Sequence, residues 1–486
     1  MSLEAESPLH SSSSSDDFLM YLNAELDLEA SESSPQDEEV DNAQISVVEE
    51  PRSKRPKLDP DGTVEIEKPT NLASINENTG SSSEVQDEGI CPPHPGFFKG
   101  LCMRCGQLEE DDGSGLAFGY IHKDLRLGSR EIDRLRGADL KKLLREKKLV
   151  LILDLDHTLL NSTSLADVSD EEQYLLRQAE SSQSIFFSHK WLNNTSFSNN
   201  LTFLLVTFLD DAKKSLLKLD HLHTLTKLRP FVHDFLKEAN TMFEMYIYTM
   251  AERSYAVEIA KHLDPENVYF NSKVISQADS TIKYQKGLDV VLGADNLVVI
   301  LDDTKFVWKR HLENLIWMEK YHFFASSCRL FGVGSKSLSQ LKQDERDSDG
   351  ALANILGVLK RAHQMFFDPE LGTDLECRDV RQVLKTIKQE ILQGCVIVFS
   401  RLYSSTSQPE EEGIWKMAEE LGAICIKEVD DSVTHIVSSD AGTQKSRWAL
   451  KNNKFLVNPY WIHAAVFLWR RQPEGNFPVR NSQEKP

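Results

Sequence analysis

Residues 149–158 read Leu-Val-Leu-Ile-Leu-Asp-Leu-Asp-His-Thr. Five apolar residues in a row, with no polar alternation, describe a strand buried on both faces, as in a parallel sheet covered by helices. Such a run restricts the chain to an α/β class of fold. A carboxylate at the end of a buried strand is costly unless something compensates it, so Asp154 and Asp156 imply a cation and chemistry. The alternative, an ordinary acidic turn, does not explain two further strands of the same kind. Residues 297–301 are apolar and end in Asp302-Asp303, and residues 245–248 end in Thr249. In open α/β sheets the ligand sits outside the carboxyl ends of the strands. Three apolar runs that each deliver acidic or hydroxyl groups at that end therefore describe one site.

Asp-x-Asp-x-Thr after a buried strand, a strand-ending Thr, a Lys and a second Asp-Asp resemble the haloacid dehalogenase superfamily. Within it the chain resembles the BRCT-containing phosphatases of the RNA polymerase II carboxy-terminal domain, in wording closest to their plant branch. The resemblance rests on LVLILDLDHTLL, LTKLRPFVHDFL, FEMYIYTMAERSYA, YQKGLDVVLG and VVILDDTKFVW. It implies a Rossmann-like, parallel-sheet phosphatase core followed by an α/β BRCT domain. It also implies Asp154 as nucleophile and Asp156 as general acid and base. Mg2+, replaceable by Mn2+ or Co2+, would be held by Asp154, the backbone carbonyl of Asp156 and Asp303, with Asp302 alongside. Thr249, Lys286 and Arg229 would hold the phosphate oxygens. Each has a plainer alternative: Thr249 as a helix cap, Lys286 as an exposed lysine, Arg229 as a surface ion-pair partner. His157 reads as a packing residue within the motif. The implied activity is dephosphorylation of phosphoserine or phosphothreonine in the polymerase tail, regulating transcription. A small-molecule phosphatase of the same fold, or a non-catalytic phosphoprotein-binding scaffold, are the alternatives.

The chain has 486 residues and a net charge of −21. Bulk charge of that sign excludes a general nucleic-acid binder, and no apolar stretch reaches the ~18 residues a membrane span requires. Residues 1–89 are rich in Ser, Asp and Glu, a composition that cannot offset ordering entropy and so reads as a disordered acidic tail. Within it, Arg52-Ser53-Lys54-Arg55-Pro56-Lys57 is a basic island that fits nuclear import. Seven scattered cysteines indicate a reduced, nuclear or cytosolic protein.

Residues 90–127 hold Cys91, His94, Cys102 and Cys105, spaced C-x2-H-x7-C-x2-C. Two pairs at that spacing can wrap tetrahedral zinc, and four protein ligands make the role structural. The phosphatase domain spans 128–335, with an insertion over 180–215 that is Asn-, Ser- and Phe-rich. A helical linker follows over 336–390, with a mobile acidic joint at 343–350. Residues 391–480 read as strand, helix, strand, strand, helix, strand, helix, which resembles a BRCT domain with Trp461 as its buried aromatic. That domain, or the acidic tail, would dock partners such as general transcription factors. In some relatives of the module a phosphoserine is held by a hydroxyl and a lysine, for which Ser400, Thr443 and Lys445 are the nearest positions.

Overall fold

The computed structural model describes residues 91, 93–109, 115–181, 215–372, 374–403 and 408–480. The acidic tail, its basic island and nearly all of the expected insertion lie outside these residues. All described residues but Cys91 belong to one compact unit.

The centre is a five-stranded sheet: β1 Leu149–Leu153, β2 Phe243–Tyr248, β3 Val274–Ile275, β4 Val298–Asp302 and β5 Leu315–Trp317, in the order β3-β2-β1-β4-β5. Every neighbouring pair is parallel. All five residues of β1 and all five of β4 are buried, because helices pack on both faces. Helix Val232–Asn240 turns Val232, Phe235, Leu236 and Ala239 inward, and helix Arg253–Leu263 does the same with Ala256, Ile259, Ala260 and Leu263. Both sets follow the i, i+3, i+4, i+7 stripe of a helix that buries one side. The strand order reverses at β1 and β4, so the crevice at their carboxyl ends is where an α/β sheet binds its ligand.

A three-stranded antiparallel sheet stands beside this crevice, with Thr224–Leu228 between Leu160–Ser164 and Leu216–Leu219. The sequence LNSTS shows no apolar alternation, and its buried polar side chains are satisfied by tertiary contacts instead. The Asn161 side-chain oxygen, Oδ1, accepts from the backbone amides of Phe323 and Phe324, both at 2.9 Å.

The stretch expected as a helical linker differs from that expectation. Leu352, Ile355, Leu359 and Phe366 of helix Ala351–Phe366, and Val380, Leu384 and Ile387 of helix Val380–Gln389, lie in the same hydrophobic core as the central sheet. The joint at 343–350 is anchored as well. Asp344 accepts from the Tyr321 hydroxyl at 2.7 Å and pairs with Lys227 at 2.9 Å. Glu345 accepts from the amide of Ala351, the first residue of the next helix, at 3.1 Å.

The C-terminal module has four parallel strands, β6 Val396–Ser400, β7 Ile424–Cys425, β8 His435–Ser438 and β9 Phe455–Val457, in the order β7-β6-β8-β9. Gly422 has φ +88°, and a Cβ there would meet the Gln389 carbonyl oxygen, so only glycine fits where helix Gly413–Glu420 ends. Trp461 is fully buried and donates to the Gln472 carbonyl at 2.9 Å. The module packs on the central-sheet core through its last helix, Tyr460–Leu468. Phe467 meets the Trp317 ring edge-on at 4.7 Å, and the Tyr460 hydroxyl donates to Glu319. Ser400 and Thr443 are buried and share a 2.8 Å hydrogen bond, and Lys445 donates to the Lys427 carbonyl. The two hydroxyls proposed for a phosphate are thus engaged within the module.

Candidate active site

Asp154 follows β1, Thr249 follows β2, and Asp302 and Asp303 close β4. Parallel pairing brings these strand ends together: Leu153 is in register with both Ile247 and Leu301. A cavity of about 710 Å3 opens over them, and Asp154, Asp156, Thr249, Lys286, Asp302 and Asp303 all line it.

Lys286 is buried between two carboxylates, with its ammonium 2.6 Å from Asp154 Oδ1 and 2.6 Å from Asp302 Oδ2. Burial alone would lower its pKa, but the two negative charges raise it above the ordinary lysine value, so it stays charged. Burial pushes the Asp154 carboxyl up and Lys286 opposes this, while the charges of Asp302 and Asp303 add to the rise. Burial also raises Asp302, against the pull of Lys286. Two further donors fix Asp302: the Trp308 indole N–H at 2.8 Å and the Thr304 amide at 2.8 Å.

Asp303 behaves differently. Burial would raise it, yet Lys320 pairs with Oδ2 and the Thr304 hydroxyl donates at 2.9 Å, so its pKa falls below the usual carboxylate range. Thr158, the last residue of the Asp-x-Asp-x-Thr motif, donates to Asp303 Oδ1 at 3.0 Å and accepts from the Asp303 amide at 3.1 Å. It therefore ties the loop after β1 to the end of β4.

Asp156 sits on the cavity wall. Burial pushes its carboxyl up to about 6, partly offset by a 2.7 Å hydrogen bond from the Tyr255 hydroxyl. Tyr255 in turn lies 2.7 Å from the Ser162 hydroxyl, which is 2.8 Å from that of Thr226. With Tyr255 donating to the carboxylate, the hydroxyls of Ser162 and Thr226 are left to donate along the same line. The Thr249 hydroxyl accepts from the Ala251 amide at 3.1 Å, so its own O–H is free to donate into the cavity.

Ligand oxygens of Asp154, Asp302 and Asp303 lie within 4.8 Å of one another. Three carboxylates face two ammonium groups, Lys286 and Lys320, which leaves the cluster one positive charge short. An all-oxygen donor set with residual negative charge fits a hard divalent cation.

Arg229 is placed differently from its sequence expectation. It is 2% exposed and absent from the cavity wall. Its guanidinium binds Glu345 at 2.7 and 3.1 Å, donates to the Thr158 carbonyl at 3.0 Å and the Glu319 carbonyl at 3.3 Å, and lies over the Tyr321 ring. A fork that matches carboxylate oxygens as well as phosphate oxygens has here found a carboxylate within the chain. Its place in the site is to hold the backbone that carries the motif. The sequence reading also missed Lys320, Tyr255, Thr304 and Ser162. Lys320 had a signal, since it stands just past β5, another strand of the same sheet. Tyr255 had none, because it lies on a helix remote in sequence from Asp156.

The family described as NLI interacting factor-like phosphatase matches residues 149–345, and the BRCA1 C Terminus (BRCT) domain matches residues 388–466. An Arabidopsis thaliana protein described as RNA polymerase II C-terminal domain phosphatase-like 4 is 46% identical, over 100% of this chain and 99% of its own length. Phosphatase-like 3 of the same plant is 36% identical over 74% of this chain and 27% of its own. Among solved structures, that of Fcp1, an essential RNA polymerase II CTD phosphatase, covers 71% of this chain and 100% of that one, with 23% identity and a TM-score of 0.51. The fission yeast enzyme bound to beryllium fluoride covers the same shares at 22% identity and TM-score 0.51. These two structures share the fold.

Proposed function

Because the chain belongs to the RNA polymerase II C-terminal domain phosphatase-like family, we propose that it removes phosphate from serine or threonine in the repeat domain of RNA polymerase II. The observation that carries this reading is the convergence of Asp154, Asp302, Asp303 and Lys286 beneath a cavity whose wall holds a fourth carboxyl, Asp156.

The reaction has two steps. An oxygen of Asp154 attacks phosphorus and forms an O–P bond as the bond to the seryl oxygen breaks, leaving an aspartyl-phosphate. Asp156 gives its proton to the departing seryl oxygen. Asp156, now a carboxylate, takes a proton from water, and the water oxygen attacks phosphorus. Inorganic phosphate leaves and the Asp154 carboxylate returns. Tyr255 holds Asp156 in place for both transfers. Lys286 and the Thr249 hydroxyl face the phosphoryl oxygens, where most phosphoryl-transfer catalysis lies. Mg2+, held by Asp154, Asp303 and the Asp156 carbonyl with Asp302 beside it, would offset the like charges of nucleophile and phosphate.

The same reading makes residues 1–89 a tail with a nuclear-import island, the protein nuclear, and the C-terminal module a dock for transcription partners. The test is turnover of singly phosphorylated heptad-repeat peptides with and without Mg2+, in the parent and in Asp154→Asn. Release of phosphate that requires Mg2+ and disappears with Asp154→Asn is expected. Turnover near the parent's in Asp154→Asn would overturn the nucleophile assignment.

A further inference from the structure

The segment from Cys91 to Glu109 is poorly equipped to fold by burial. Only Gly96, Phe97 and Cys102 are buried among its described residues, while Met103 is 50% and Leu108 75% exposed. Its strands, Gly96–Phe98 and Leu101–Cys102, are three and two residues long. A hairpin of that size is marginal in water without a further constraint. The hairpin is nonetheless well formed. Lys99 at φ 51° and Gly100 at φ 74° make its tight turn. The strand Gly96–Phe98 then pairs with Leu125–Gly128 in antiparallel register.

The side chains at its open end supply the constraint. Ligand atoms of His94, Cys102 and Cys105 lie within 4.8 Å of one another, and the sequence sets Cys91 three residues before His94, the same spacing as Cys102 and Cys105. Cys105 Sγ is 3.5 Å from His94 Nδ1. A second observation concerns the backbone around Cys102-Met103-Arg104-Cys105. The Arg104 amide donates to Cys102 Sγ at 3.4 Å, and the Gly106 amide to the Cys102 carbonyl at 3.0 Å, with Gly106 at φ 73°. The chain thus wraps around a sulfur with an amide aimed at it, an arrangement that stabilises a metal-bound thiolate from outside the ligand set.

We propose that Cys91, His94, Cys102 and Cys105 hold one structural zinc ion, separate from the cation of the active site. Three soft thiolates and one imidazole select zinc over magnesium, and four protein ligands leave no open position for chemistry. The zinc staples a sheet whose later part braces the cavity rim. Beyond strand Gly115–Ala117, Phe118 and Tyr120 enter the main core. The Tyr120 carbonyl accepts from Arg253 at 3.2 Å, and Arg253 pairs with Asp279 at 2.9 Å. The neighbours of that pair, Glu252, Ser254 and Gln277, line the cavity.

The test is elemental analysis of the full chain, expressed with zinc and purified in metal-free buffer. About one zinc per chain is expected in the parent and in Asp154→Asn, and none in the double variant Cys102→Ser, Cys105→Ser. Replacing zinc by cobalt in the parent should give the intense visible bands of a tetrahedral thiolate site, a readout that does not depend on whether the double variant folds. A parent without zinc, zinc retained by the double variant, zinc lost in Asp154→Asn, or cobalt without thiolate bands would each overturn the proposal. None of these outcomes bears on the Mg2+-dependent turnover.

Discussion

Arg229→Met separates a residue that grips substrate from one that holds the fold. In the structure Arg229 is almost wholly buried, whereas Glu345 keeps some contact with solvent. Removing the guanidinium leaves Glu345 with the Ala351 amide alone and takes the Arg229 donor from the carbonyls of Thr158 and Glu319. Breaking a fully buried ion pair by deleting one partner costs ~3–5 kcal/mol. Glu345 can recover part of its hydration, so the expected loss is about 2–3 kcal/mol. For a core of this size that lowers the unfolding midpoint by roughly 4–12 °C. The assay is thermal unfolding of the parent, Arg229→Met, Glu345→Gln and the double variant, alongside turnover on a phosphoserine peptide. The single changes should be non-additive by about 1–3 kcal/mol, since both break one contact. Arg229→Lys should restore only part of the loss, because an ammonium lacks the fork. Turnover should fall together with stability, through the loosened backbone at Thr158. An Arg229→Met protein with the parent's unfolding midpoint and a large loss of turnover would refute this reasoning and return Arg229 to the phosphate.

Two other outcomes follow from the geometry. Asp156→Asn should cut turnover on phosphoserine ~10²–10⁴-fold, since the seryl oxygen then departs without a proton. An aryl phosphate needs little help to leave, so the same variant should release a burst of aryl alcohol near one equivalent and then stall as the aspartyl-phosphate. Equal losses on both substrates, with no burst, would remove Asp156 from the proton transfers. In the C-terminal module His435 stacks between Phe455 and Trp461, and burial lowers its pKa from 6.5 to about 4 despite the hydrogen bond with Glu474. The unfolded chain therefore takes up a proton below about pH 6.5 that the native histidine refuses until about pH 4. Stability should be level above pH 6.5 and fall as the pH drops through that window, by about 2 kcal/mol at pH 5. Hydrogen exchange of β8, corrected for the intrinsic effect of pH, reads this loss, and His435→Gln should flatten it. An equal slope in that variant would place the proton elsewhere.

The strands and the groups at their ends were legible in the sequence because both are local facts. An unbroken apolar run such as 149–153 records burial on two faces, and parallel pairing then leaves little freedom in where its last residue points. Asp154, Thr249, Asp302 and Asp303 could be assigned to one crevice on that ground. The i, i+3, i+4 stripes of the helices behind them were equally readable. The same stripe at Leu352, Ile355 and Leu359 shows that a helix buries one side, but not against what, so its membership in the central core had to come from the tertiary structure. A polar strand such as Leu160–Ser164 carries no periodic signal, since its buried groups are satisfied by partners far along the chain. Charge is less legible still. The sequence supplies Arg229 with a guanidinium fork, and phosphate or carboxylate satisfies that fork equally well. The choice fell to Glu345, 116 residues away, once folding carried it to the back of the motif. Lys320 reached Asp303 and Tyr255 reached Asp156 in the same way. Hydrophobic pattern specifies which face is buried; the partner of a buried charge is set by the return path of the chain, which only the packed structure fixes.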